Sequence, residues 1–483
     1  MSAPALTPAA APGRPAVVGL TFAQLRLALL AIAVVATAAL MPAQADTYWH
    51  LRAGQDLFRT GDVPLVDTYA HTANGLPWPN HEWLWQALSY ALFRVGGMPL
   101  LSAAGAVLAA GACILAYRLM RTRPAISFCL SLVGIPLASV VWALRPQLGS
   151  LVFLAALLHL VQAARWWWIP PLFVLWANLH GAVAMGGLVL LAATAVAAAT
   201  ERARLRPLLL TTLLSGVLTA ATPMGPGLWR FIGESMARSR QNQIMEWMPS
   251  LPKGPIEISF WVGALVLVVT LVRRWRRLDS WSDRVVVAAA LVMLPLAARA
   301  VRNISPFFLL WAPAMSRLIG PDANLPRLLP SSLSSSSRRD DDHPRLNLVI
   351  ALFAAVLAAG AVAFCWSLPL ERLGWHPVPP AVAAAVRTCR APLYNRYNEG
   401  GYLIWFVPEV PVFIDSRQDP YPAELLTAHI EAERTGDPRA LFARYHIGCA
   451  ALPPASKVAK RLQQDPGWTT VHADPEWIVL ARR

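Results

Sequence analysis

Long apolar runs separated by short basic clusters constrain this chain more than any other feature. An α-helix needs about 20 largely apolar residues to cross roughly 30 Å of hydrocarbon, and in lipid every backbone polar group must be satisfied internally. Runs near that length fall at 20–41, 98–118, 125–143, 148–164, 166–179, 183–200, 207–222, 258–272, 285–299, 303–319 and 347–367. The fold class that follows is an all-α polytopic membrane bundle of about eleven transmembrane helices. Composition agrees: 56% of the 483 residues are hydrophobic and 14% charged, against about one-quarter charged in ordinary soluble domains.

The net charge of +15 does not point to nucleic acid, because the arginines sit in small clusters between apolar runs and not along one face or tail. Such clusters mark cytoplasmic loops. With the N-terminus in the cytoplasm, the segments holding Arg121/Arg123, Arg165, Arg202/Arg204/Arg206, Arg273/Arg274/Arg276/Arg277 and Arg338/Arg339 all fall inside. Among the segments that the same parity places outside a bacterial inner membrane are 42–97, the turn Arg145-Pro146-Gln147, the loop 223–257 and the tail from about 369. An alternative at the start is a signal peptide, with Leu27–Met41 as its apolar region and Ala43-Gln44-Ala45 as an A-x-A cleavage site.

Four units follow: a transmembrane body over 1–319 with its first outer loop at 42–97, a polar cytoplasmic linker at 320–346, a last transmembrane helix at 347–368, and an extracytoplasmic domain at 369–483. The linker's run of serines, arginines and aspartates cannot bury enough apolar area to fold. No internal repeat is visible, which weakens a transporter built from duplicated halves.

Chemistry is expected in the outer segments. The first reads Asp46-Thr47-Tyr48-Trp49-His50, then Asp67, then Trp78-Pro79-Asn80-His81-Glu82-Trp83. Residues 82–97 carry apolar side chains at helical spacing and predict an amphipathic helix along the interface. An acid directly at a span exit is costly to desolvate, so Asp46 is a candidate for function. Arg145, Asn178, His180, Glu246, Arg299, Arg302 and Asn303 cluster at the same membrane face. Arginines there run against the positive-inside bias and call for a partner. A phosphate head group supplies one through bidentate bonds, and an ion pair with Asp46, Glu82 or Glu246 supplies another. Tryptophans 78, 83 and 85 read as an aromatic belt, and His180 alone reads as a hydrogen-bonded structural residue.

The tail predicts a small α/β domain. Gly400–Phe406 and Val412–Asp415 read as strands, 423–435 and 437–445 as helices, 447–452 as a strand, 456–464 as a helix, and 468–482 as a strand pair around Asp474-Pro475. Its polar focus is Asp415-Ser416-Arg417-Gln418-Asp419, placed at a strand's C-terminal end, with Asp415 and Arg417 either binding a ligand or pairing to fix the turn. Of the cysteines at 113, 129, 365, 389 and 449, none has C-x-x-C spacing; Cys389 and Cys449 share the oxidising side and are candidates for a disulfide. No nucleotide-binding or hydrolase motif appears in a usable context.

Asp-Thr-Tyr-Trp-His-Leu-x-x-Gly, Asn-His-Glu-Trp-Leu, Asn-Leu-His-Gly, Glu-Trp-x-Pro, Gly-Gly-Tyr-Leu-Ile-Trp and Phe-Ile-Asp-Ser-Arg resemble a bacterial membrane-protein family. Its layout is similar to the GT-C glycosyltransferases, polytopic enzymes that use polyprenyl-phosphate sugars. In GT-C enzymes an acid in the first extracytoplasmic loop is catalytic base or metal ligand, and Asp46 occupies that place. Many members carry two adjacent acids. Here Thr47 follows, a departure that weighs against a metal requirement and leaves Asp67, Glu82 or His50 as second member; a divalent metal ion is the one cofactor the family layout offers.

The resemblance thus implies inverting transfer of a hexose or pentose from a polyprenyl-phosphate donor to a glycan or protein hydroxyl. Asp46 would be the base, and Arg145, Arg299 and Arg302 would hold the departing phosphate. A membrane assembly or export factor with a partner-binding tail, or a lipid or sugar transporter, are the rival readings.

Overall fold

The computed structural model describes residues 19–140, 142–241, 245–321, 343–368 and 373–483. The Ser-rich part of the linker, with Arg338 and Arg339, lies outside the described residues. Helices cover the predicted apolar intervals: α1 Phe22–Ala38, α3 Trp83–Arg118, α4 Pro124–Ser139, α5 Gln147–Gln162, α6 Ile169–Leu179, α7 Val183–Thr200, α8 Leu205–Leu218, α10 Pro255–Arg274, α11 Trp281–Arg299, α12 Ile304–Ile319 and α13 Pro344–Ser367. Two further helices, α2 Ala45–Thr60 and α9 Gly227–Gln241, lie in predicted outer segments. Among the described residues five helices are long and apolar enough to cross a membrane: α3, α7, α10 with its final turn to Arg277, α11 and α13. Together they mark a membrane protein.

The buried body forms around α12, whose Phe307, Phe308 and Leu310 pack with Phe173 and Trp176 of α6 and Phe260 of α10. Prolines at the first turns of α4, α6, α10 and α13 start those helices, where a missing N–H costs nothing. The predicted interfacial helix runs on into the second apolar run as one element, α3. It breaks at Gly96-Gly97, where Gly97 takes φ +60° and ψ −156°, a conformation that glycine tolerates.

Two close approaches fix α2. A Cβ on Gly54 would stand 2.2 Å from the Gln86 carbonyl oxygen of α3, and one on Gly401 would stand 2.3 Å from the Ala45 carbonyl oxygen. Glycine at these places lets α2 lie against α3 on one side and the C-terminal region on the other, which sets the position of Asp46.

The C-terminal region holds α14 Pro380–Arg387, α15 Tyr397–Phe406, α16 Ala423–Thr435, α17 Arg439–Arg444 and α18 Lys457–Gln463 beside a four-stranded sheet of order β1-β2-β4-β3. Strand β1 (Leu393–Asn395) pairs parallel with β2 (Cys449–Leu452), which pairs antiparallel with β4 (Ile478–Arg482), itself antiparallel to β3 (Trp468–Ala473). Cys389 and Cys449 form a disulfide, with Cα atoms 5.9 Å apart.

Two strand expectations are corrected. Gly400–Phe406 is helical within α15, because Gly400 and Gly401 must dock flat on neighbouring backbone while Leu403 and Ile404 face the core. Val412–Asp415 is extended but joins no ladder. Val412 makes one bridge with Ala70 of the first outer segment, and the Asn395 side chain bonds the backbone at Phe413 and Ile414. The C-terminal core also contains Trp49, Tyr69, Ala70, Ala73 and Trp78, so residues 49–78 complete it.

Candidate active site

Asp46 stands in the first turn of α2, where the helix dipole favours a carboxylate. Its Oδ2 lies 2.9 Å from Nε of Arg145, in the turn between α4 and α5. That Nε makes no aligned hydrogen bond, so the contact is an ion pair. Arg145 reaches Glu246 through Nη1 at 3.1 Å, and Glu246 Oε1 lies 3.5 Å from Nη1 of Arg302. The Arg302 guanidinium also stacks over Trp247 at 4.4 Å. Four charged side chains, one from the first turn of α2 and three from separate turns between helices, therefore alternate in sign. Burial opposes the charge on Arg145, but Asp46 and then Glu246 raise its proton affinity; burial likewise opposes the charge on Glu246, and Arg302 with Arg145 lowers its pKa.

A second cluster surrounds Glu82, the N-cap residue of α3. Oε1 meets His81 Nε2 at 3.5 Å and His180 Nε2 at 3.6 Å, and Oε2 meets His50 Nε2 at 3.7 Å. Burial lowers the pKa of His50 to about 4 and that of His180 to about 3, against the pull of Glu82. His81 goes the other way. Burial opposes its charge too, but Glu82 outweighs burial and raises it, and the three imidazoles with His81 foremost hold Glu82 well below the usual carboxylate range. Glu82 is thus the shared acid partner of three imidazoles, only one of which, His81, it raises above the ordinary histidine value. Among the described residues no group of three or more His, Cys, Asp or Glu side chains is spaced to hold a metal ion.

The two clusters line one cavity of about 250 Å³ that contains Asp46, His50, Glu82, Arg145, His180, Glu246, Arg302 and Arg417. Its apolar lining comes from Met185 and Leu188 of α7 and from Phe231 and Ile232 of α9, with Phe231 packed on the His81 ring at 4.7 Å. A second cavity of about 690 Å³ shares Asp46, Arg145 and Glu246 and opens between the Met245–Trp247 turn and the C-terminal region, past Arg396, Asn398 and Glu433.

Four expected site residues are not brought to these cavities. Asn178 is spent on structure: its Nδ2 donates to the Val174 and Ala221 carbonyls at 2.9 and 2.8 Å, and its Oδ1 accepts from Trp83 Nε1 at 2.7 Å. Arg299 is exposed on the far side of α11, about 200° around from buried Ala297. Asp67 and Asp415 are fully buried on Arg417, whose Nη2 lies 2.6 Å from each. Tyr421 donates to the same Asp415 oxygen as Nη2, and Tyr69 and Trp78 cover the guanidinium at 4.8 and 4.6 Å. This knot bolts the first outer segment to the C-terminal region. Arg417 Nη1 has no hydrogen-bond partner although it is buried.

His81, Trp49, Trp247, Tyr397 and Ser416 also line the cavity and were not among the expected site residues. The signal that could have found His81, Trp49, Trp247 and Ser416 is their place inside the quoted motifs, beside charged residues that were expected; Tyr397 has no such signal.

Sequence comparison matches the chain to no protein-family model and to no curated relative. Comparison of folds does better. The apo crystal structure of an oligosaccharyltransferase from Archaeoglobus fulgidus aligns with TM-score 0.54 at 10% identity, over 88% of this chain and 69% of that one. The chain has a GT-C-like fold. The same archaeal enzyme tethered to an acceptor peptide containing the NVT sequon aligns at TM-score 0.51 and 10% identity, over 88% and 68% of the two chains. ArnT from Cupriavidus metallidurans in the apo state aligns at 0.49 and 14% identity, over 94% and 97%. In this GT-C-like chain Asp46 follows the first helix, and its cavity lies where the inter-helix turns gather.

Proposed function

We propose that this protein is a membrane glycosyltransferase that moves a sugar from a polyprenyl-phosphate donor to a hydroxyl of a glycan or protein at the outer face of the bacterial inner membrane. The observation that carries the reading is the convergence of Asp46 with the guanidinium groups of Arg145, Arg302 and Arg417, and with the acids Glu82 and Glu246, in a cavity that also has apolar lining. Phosphate suits the arginines, and a polyprenyl chain suits Met185, Leu188, Phe231 and Ile232.

In the proposed reaction the acceptor hydroxyl oxygen attacks the anomeric carbon from the face opposite the phosphate. Asp46 takes the hydroxyl proton as the new carbon–oxygen bond forms. The bond from the anomeric carbon to the phosphate oxygen breaks, and the electron pair leaves with polyprenyl phosphate. Arg145 and Arg302 then meet the charge that develops on that oxygen. The acceptor occupies the second cavity, so that its hydroxyl meets the donor at Asp46. The reading takes the chain across the membrane eleven times with the C-terminal domain outside, which the clustering of arginines between alternate spans supports. A divalent metal ion would add charge neutralisation at the phosphate; no step above depends on it.

The test is mass spectrometry of surface glycans and glycoproteins in a deletion strain complemented with the wild-type or the Asp46→Asn gene. A glycan species lost on deletion should return only with the wild type. An unchanged glycan profile on deletion would favour a membrane assembly factor instead.

A further inference from the structure

We propose that Ser416, from the C-terminal domain, is a positioning residue that orients Asp46, so that this domain completes the catalytic site in addition to receiving the acceptor. The inference rests on the reading of Asp46 as the base.

The argument starts from hydrogen-bonding roles. An indole N–H only donates and an ionised carboxylate only accepts, whereas a serine hydroxyl does either. Trp49 Nε1 lies 3.1 Å from Ser416 Oγ, and the Ser416 hydroxyl bonds Asp46 Oδ1. The indole must donate to Ser416, so the single hydroxyl proton goes to Asp46. Trp49 Nε1 also stands 3.3 Å from the same Oδ1. These two donors occupy Oδ1 and fix the carboxylate plane. Oδ2 makes no such bond: it faces Arg145 in an ion pair without an aligned hydrogen bond, and Asp46 as a residue lines both cavities. Oδ2 is therefore the atom that receives the acceptor proton.

Ser416 is held more firmly than a loop serine. Tyr397 donates to its carbonyl oxygen at 2.9 Å. Its neighbours Asp415 and Arg417 are locked to one another at 2.8 and 2.6 Å, and Arg417 to Asp67 at 2.6 Å, all inside the protein. Moving the segment would strand buried charge, which is strongly unfavourable. The knot that contains two expected ligand residues thus acts at one remove, by keeping Ser416 on Asp46.

The test uses the full-length protein in membranes of the deletion strain and reads the glycan species lost on deletion, per copy of protein. Ser416→Ala should lower output about 10–100-fold, the worth of one hydrogen bond to a charged group, with abundance and thermal midpoint unchanged at this half-buried position. Ser416→Thr, which keeps the hydroxyl, should restore it. In an Asp46→Asn background Ser416→Ala should have no further effect, because Ser416 acts only through Asp46. Wild-type output from Ser416→Ala, or an additive loss in the double variant, overturns the inference. An Asp46→Cys/Ser416→Cys pair reports the contact without turnover, and failure of these cysteines to cross-link under oxidation also overturns it. Normal output from Asp46→Asn alone would sink the proposed function, and the cross-link separates that failure from an absent contact.

Discussion

Asp46 and Arg145 are paired, Oδ2 to Nε, at 2.9 Å, with Glu246 on the far side of the guanidinium. On the proposed function, a base held this way keeps its place but shares Arg145 with any phosphate that enters. Asp46→Asn keeps size and one acceptor while removing the charge. Transfer should fall about 10²–10⁴-fold, the usual worth of a positioned base, at unchanged protein level. A loss of abundance or thermal stability instead would mean that Asp46 serves only to balance buried Arg145.

Arg302 offers a planar fork to Glu246 and stacks on Trp247. Lysine keeps the charge but not the fork or the stack. Binding of polyprenyl phosphate to the purified protein should weaken in Arg302→Lys and further in Arg302→Ala, by about 1.5–3 kcal/mol for the latter. Equal binding by all three proteins would return Arg302 to a structural role.

The histidines around Glu82 predict a stability maximum near pH 6.5. His50 and His180 have folded pKa values below the unfolded 6.5, at about 4 and about 3. Their contribution is complete above pH 6.5 and is lost as pH falls toward 4, by up to about 1.4 kcal/mol per pH unit each. His81 is raised above 6.5, so its contribution is complete below that pH and is lost as pH rises through its folded pKa. Glu82, lowered from 4.5, adds stability above pH 4.5 that is lost in stronger acid. Thermal midpoints of the detergent-solubilised protein from pH 4.5 to 8.5 should trace this maximum, and His81→Gln should flatten its alkaline side. A midpoint that climbs steadily to pH 8.5 contradicts the assignment.

The Cys389–Cys449 bridge closes a separation of 60 residues. Loop-closure entropy gives it about 4 kcal/mol against the unfolded chain. Cys449→Ser, or reduction, should therefore make the C-terminal region protease-sensitive at lower temperature while the helical body stays resistant. Identical digestion of oxidised and reduced protein would remove the bridge from the stability argument.

Sidedness is checked at two exposed positions from opposite ends of the bundle, Glu424 and Arg276. In intact cells with a permeabilised outer membrane, a membrane-impermeant maleimide should reach Glu424→Cys and not Arg276→Cys. Labelling of both from one side would break the proposed topology.

Apolar length and arginine placement made the helical body legible, because a membrane leaves few alternatives to the helix. They also brought Asp46, Arg145, Glu246 and Arg302 to one end of it. What the sequence hid depends on distant partners. Gly400–Phe406 has strand-like composition but becomes a helix because two glycines must dock on α2 and on residues 414–415. Asp67 and Asp415 look like free acids until Arg417 is seen between them. Arg299 and Arg302 are three residues apart, and only the end of α11 decides which one turns inward. Ser416 stands inside the Phe-Ile-Asp-Ser-Arg motif but carries no charge, so its neighbours Asp415 and Arg417 draw the functional reading away from it.

Asp46 and Ser416 are 370 residues apart in the chain. At about 5–20 residues per second of synthesis, the carboxylate emerges roughly 20–75 s before the serine that orients it. Through that interval a nascent or truncated chain has inserted helices and an arginine-lined cleft, yet an unaligned base. On the proposed function, full activity would then wait until the last domain has folded back onto the first loop, and an incomplete copy would spend little lipid-linked sugar on water.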